Sequence, residues 1–190
     1  MTGEYPSNEI PSTAFATHRK YAEPVATGYS LDEIAQLAES IGEQLGYKPG
    51  EEIEPVVERL GGAFRYLDTD EYFFQDGCER LIVDGPGKFT ISLHKLGGLF
   101  NNRFAIAHEL GHYFLHSEMG KTPLHATNDG SVTAEEWEAT VFAAAFLMPR
   151  QRVIALRDRA LSIYDLSASF LVSPEAVTRW CRMLTPAQPE

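Results

Sequence analysis

The sequence predicts an α+β fold, with helices gathered around a small antiparallel sheet. Three observations carry that prediction. Leu31, Ile34, Leu37, Ile41 and Leu45 recur at helical spacing. Two β-rich runs, residues 79–83 and 88–93, flank Asp84-Gly85-Pro86-Gly87 as a hairpin does. Residues 134–148 are nearly all apolar and long enough for a buried helix.

In chain order, residues 1–27 are rich in Pro, Ser, Thr and Glu without helical or strand period, and read as a flexible tail. Ser30 is the N-cap of the first helix, which Gly46 and Lys48-Pro49-Gly50 end at about Leu45. A shorter helix at 53–60 stops at Gly61-Gly62. Residues 63–67 read as a strand, and 68–77 as an aromatic, acidic loop. In the hairpin's second strand Phe89, Ile91 and Leu93 share one face. A helix over 101–116 follows, then a polar loop over 117–132 and the apolar helix. Residues 164–180 read as helix, turn, helix, with Ser173 as N-cap and Pro174 at the first helical position. The organisation expected is a tail (1–27), a main α+β domain (28–150) and a C-terminal helical segment (151–190) packing on it.

With 190 residues, the chain buries enough surface to need no disulfide. Cys78 and Cys181 form no framework and read as reduced thiols of a cytoplasmic protein. No apolar run reaches the length of a membrane span, and no signal peptide is expected. The net charge is −11, but residues 150–190 carry six Lys+Arg against four Asp+Glu. An acidic body repels nucleic acid, which argues against DNA binding as the main role.

The chemistry is concentrated in His108-Glu109-Leu110-Gly111-His112, an HExxH sequence behind the apolar run Phe104-Ala105-Ile106-Ala107. On a helix, positions four apart are offset by about 40° and rise about 6 Å, so both imidazoles leave one face. Two nitrogen ligands on one side of a metal suit zinc. Glu109 lies between them and can take a proton from attacking water without ligating the metal. Gly111, lacking a Cβ, lets another backbone or a substrate approach.

A catalytic zinc needs one more protein ligand, and Glu135, Glu136 and Glu138 precede the buried helix. Thr133-Ala134-Glu135-Glu136 is also a capping box, which would occupy Glu136. Here the chain resembles the ImmA/IrrE-type metallopeptidases. They pair an RFxxAHELGH segment with a downstream ExxAN-x-FAAxLLMP helix. Arg103-Phe104 with Ala107 to His112, and Glu136-Trp137-Glu138-Ala139 with Phe142-Ala143-Ala144 and Leu147-Met148-Pro149, match both parts. The resemblance implies one zinc per chain on His108, His112 and Glu136, with Glu109 as acid/base. Thr140 departs from the pattern, which has Asn or Asp to support a ligating histidine by a hydrogen bond.

His116 lies about 12 Å along the helix from His108 and about 80° around it, too far for the same metal, and reads as a helix C-terminal cap. His125, Tyr113 and Arg103 are candidates for oxyanion stabilisation. Strand 88–93, the last before the HExxH helix, is the candidate edge for pairing with extended substrate. By resemblance, the expected function is a zinc endopeptidase that cleaves an Xre-type helix-turn-helix repressor in stress or mobile-element control. The alternative is a non-catalytic regulator with a structural metal, binding DNA or a partner through its C-terminal helices. Their second helix offers only Thr178, Arg179 and Arg182 to bases, so packing behind the site is the preferred reading.

Overall fold

The computed structural model describes residues 21–68, 79–127 and 133–185. Helix α1 (Leu31–Gln44) begins where Ser30 and Glu33 close a capping box. Its buried stripe is Ile34, Ala35, Ala38 and Gly42, so Leu37 stays exposed. Helix α2 (Glu54–Arg59) follows, with Pro55 in the first turn, where a missing N–H breaks no helical bond.

Strands β1 (Gly62–Leu67), β2 (Glu79–Gly85), β3 (Lys88–His94) and β4 (Leu124–Thr127) form one sheet in the order β1-β3-β2-β4. β2 runs antiparallel to β3 and β4, but β1 lies parallel to β3. The sheet is therefore mixed rather than wholly antiparallel. Since β1 and β2 flank β3, residues 88–93 are not an edge, and the expected substrate pairing there is overturned. Phe89, Ile91 and Leu93 are buried on one face and Ser92 on the other. A strand buried on both faces belongs in the sheet interior. Between Glu79 and Leu81 the pairing of β2 with β4 slips by a residue, a bulge at Arg80.

β4 lies inside the segment expected to be polar loop. Its outer side is met by Ala22, which donates to the Pro123 carbonyl (2.9 Å) and accepts from the His125 amide (3.0 Å). The N-terminal tail therefore does not extend to residue 27. Tyr21 donates to Asp84 at 2.7 Å and stacks on His125, and the Thr27 and Gly28 amides are bound by Glu138. The expectations for residues 1–20, for most of the loop at 68–77, and for Cys78 lie outside the described residues.

Helix α3 (Gly98–Gly111) passes into a π-turn (His112–His116), whose wider winding shows in the Ser117 amide bonding the His112 carbonyl at 3.0 Å. Helix α4 (Ala134–Leu147) crosses it at Gly111. A Cβ on Gly111 would lie 2.9 Å from Ala139 Cα, so the glycine admits the α4 backbone rather than a substrate. From Glu138 onward almost every residue of α4 is buried. Phe142 stacks on Phe114 and Phe146, and Phe146 stacks on Tyr47. Burying each phenylalanine contributes about 1.5–3 kcal/mol. Among the described residues no single helix is long and apolar enough to cross a membrane.

Helices α5 (Arg150–Asp158), α6 (Ile163–Phe170) and α7 (Pro174–Leu184) complete the fold. Ser162 with Asp165 caps α6, and Ser173 caps α7 through the Ala176 amide at 3.1 Å. Trp180 of α7 is buried and donates its indole N–H to the Met148 carbonyl at 2.9 Å, satisfying an acceptor at the end of α4.

Candidate metal centre and active site

The last turn of α3, the start of the π-turn and the first turn of α4 bring His108, His112 and Glu136 together, with their ligand atoms within 4.8 Å of one another. His108 Nε2 lies 3.2 Å from Glu136 Oε2, His112 Nε2 lies 3.1 Å from Glu136 Oε1, and the two imidazole nitrogens are 3.2 Å apart. Ligands at 2.0–2.1 Å from a tetrahedral zinc stand roughly 3.3 Å apart. The donor set and its spacing thus fit one small divalent ion. Thr133 is the N-cap of α4, yet its hydroxyl makes no capping bond. The capping box read from the sequence does not form, and Glu136 points to the imidazoles instead.

Glu109 is buried beside this group, and its Oε2 has no hydrogen-bond partner among the described residues. Burial pushes its carboxyl up to about 7, with the positive charges of His108 and Arg80 opposing the rise. Burial also lowers His112, to about 4, against the pull of its bond to Glu136. His108 ends above its ordinary value: burial acts downward, and the hydrogen bond to Glu136 and the charges of Glu109 and Glu136 outweigh it. Glu136 is held well below the usual carboxylate range, because its two imidazole hydrogen bonds overcome the effect of burial.

A cavity of about 590 Å³ opens onto His108, Glu109 and Glu136. Its apolar walls include Phe100, Phe104, Trp137, Trp180 and Met183. Arg80 also faces it from the β2 bulge, close enough to exert its charge on Glu109 and Glu136. Sequence reasoning passed over Arg80, since a single cation in a short strand reads as surface. Its only signal was a charge next to an apolar run.

Residues 83–181 match the family described as IrrE N-terminal-like domain, a peptidase family. The chain belongs to that family. The resemblance read from the two motifs is thereby borne out, and the matched span takes in the HExxH helix, α4 and most of α7. A Mycobacterium tuberculosis transcriptional regulator shares the fold at 22% sequence identity and a TM-score of 0.51, over 83% of this chain and 48% of its own. This chain therefore spans about half the length of that protein. No curated protein matches.

Within this IrrE-like domain, several sequence candidates lie elsewhere than expected. Tyr113 bonds the Met119 carbonyl at 3.1 Å and the Gly87 amide at 3.2 Å, and stacks on Phe89, so it braces the β2–β3 turn. Arg103 is buried against the Tyr47 hydroxyl. His125 lies on β4 against Tyr21. None of the three lines the cavity. His116 is no helix cap: its ring bonds His112 at 2.9 Å and Glu138 at 3.0 Å. Four residues after His112, it leaves the same side of the chain, and Glu138 of α4 takes its other nitrogen. Glu138 faces His116 rather than the imidazole pair, and Glu135 is not part of the cluster. Thr140 keeps the position its family pattern implies, with its hydroxyl 3.4 Å from His108 Nδ1. Of the C-terminal helices, α7 is not behind the site but forms one wall of the cavity.

Proposed function

We propose that the protein is a zinc-dependent endopeptidase. Glu109 carries this reading: a buried carboxyl with an unbonded oxygen, beside a compact donor triad and on an open cavity, suits proton transfer. A purely structural metal site has no use for it. His108, His112 and Glu136 would hold the ion. The chemistry zinc supplies when bound is Lewis acidity, which polarises a carbonyl and makes water acidic enough to lose a proton near neutral pH.

Glu109 takes the proton of the water whose oxygen attacks the scissile carbonyl carbon. It then returns that proton to the amide nitrogen as the C–N bond breaks. Negative charge gathering on the carbonyl oxygen is offset by Arg80, a cation that lines the cavity near Glu109 and Glu136. Phe104, Trp180 and Met183 exclude water and accept an apolar substrate side chain. The motif resemblance supports an Xre-type helix-turn-helix repressor as substrate, and the net charge of −11 suits a basic DNA-binding partner.

The DNA-reading alternative has less support. Arg179 lines the cavity and pairs with Glu175 at 3.4 Å, and the Thr178 hydroxyl donates to the Pro174 carbonyl at 2.8 Å. Two of the three side chains that would read bases are therefore engaged within α7. The test is Glu109→Gln, which keeps the carboxyl's shape but accepts no proton. Purified variant protein is expected to retain metal and fold while losing cleavage of the repressor. Cleavage at the wild-type rate would remove Glu109 from the mechanism.

A further inference from the structure

On its core side, His112 continues into a buried line of hydrogen bonds that the proposed reaction does not use. His112 Nδ1 lies 2.9 Å from His116 Nδ1, and His116 Nε2 lies 3.0 Å from Glu138 Oε2. Glu138 also accepts the Thr27 amide on Oε2 at 2.9 Å and the Gly28 amide on Oε1 at 2.8 Å. His112, His116 and Glu138 are 1%, 8% and 2% exposed, so water does not substitute for these partners.

The proton positions along this line follow from its far end. A carboxylate is an acceptor only, and this one faces two backbone donors that cannot reverse. His116 must therefore present a proton on Nε2 to Glu138. A neutral imidazole protonated at Nε2 has a bare Nδ1, which can only accept. His112 must then carry its own proton on Nδ1 to bond His116. An ion held with Glu136 and His108 would take the place of the Nε2 proton that bonds Glu136, so the His112 Nε2 lone pair is the ligand and Nδ1 keeps its proton for His116. Each step fixes the next.

We propose that Glu138 and His116 are positioning residues that set the tautomer and ring orientation of His112, and that the backbone of Thr27 and Gly28 anchors them. The segment before α1 is then part of the metal site, though it supplies no ligand. This rests on reading His112 as a metal ligand. Partners of this kind commonly change metal affinity ten- to a hundred-fold when lost.

The test is zinc affinity of the full chain, measured by competition with a chromophoric chelator. Glu138→Gln replaces the one-way acceptor with an amide that bonds in either direction. Its zinc affinity is expected to fall about ten- to a hundred-fold. Thr27→Pro removes one anchoring amide outside the core and is expected to give a smaller loss of the same sign. In the zinc-loaded wild type, the His112 Nδ1 proton should appear in NMR spectra as a slowly exchanging, strongly hydrogen-bonded signal. Glu138→Gln should shift it and speed its exchange. If both variants bind zinc within about threefold of wild type and the signal is unchanged, the relay has no positioning role. A wild-type chain that binds no zinc would instead overturn the reading of the site, and this inference with it.

Discussion

His108 and His112 face the same carboxylate from opposite settings. His108 lines the cavity and, among the described residues, has only the Thr140 hydroxyl, 3.4 Å away, at its other ring nitrogen. His112 is buried and supported through His116 and Glu138 to the backbone at Thr27 and Gly28. One half of the site borders the cavity, while the other is built into the core. Glu136 joins them, placed by the first turn of a helix whose remainder is buried.

Removing either imidazole is the strongest way to break this comparison. His108→Ala and His112→Ala should each lose most of the bound metal in elemental analysis, since a catalytic zinc keeps few other ligands. The two should part in stability. In thermal unfolding without metal, His112→Ala should lose about 1–3 kcal/mol more, because it strands His116 in the core. Equal stability would show that the core-side bonds contribute little.

Arg80→Met tests the cavity side. It should retain metal and lower kcat/KM roughly a hundred-fold, the usual effect of removing one donor to a developing oxyanion. An unchanged kcat/KM would leave Arg80 as a structural cation. Gly111→Ala acts on both halves, since its Cβ would press on Ala139 and push α4 away from α3. A loss of about 1–3 kcal/mol in denaturant unfolding is expected, with weaker metal retention because Glu136 moves with α4.

The smallest effect would sharpen the comparison by making the halves alike. Thr140→Asn gives His108 the longer acceptor that the family pattern carries there. Zinc affinity should rise a few-fold in chelator competition. A fall would mean that the short hydroxyl already fits its surroundings.

What the sequence showed and what it hid divide along local and long-range lines. The HExxH spacing, the Ser30 and Ser173 caps and the β2–β3 hairpin depend on neighbours in the chain, and all are present. Glu136 was legible only through the paired motifs, because its local pattern spelled a capping box. The parallel pairing of β1 with β3 leaves no periodic trace, since it joins residues more than twenty-five apart. The four residues of β4 were too few to stand out from a polar loop. Ala22 and Thr27 looked like tail because their partners, Leu124 and Glu138, lie about a hundred residues on.

The π-turn at His112–His116 bears on how relatives of this chain should be aligned. Such turns behave as one residue added to an α-helix. A homologue one residue shorter in this stretch would wind as plain α-helix, and a histidine aligned with His116 would face a different side. Its apparent identity in the alignment would conceal a broken connection. Conversely, a homologue keeping the length but not the histidine would retain the wide turn without the bonds it carries here. Length and residue type at this turn should therefore be inherited together or lost together.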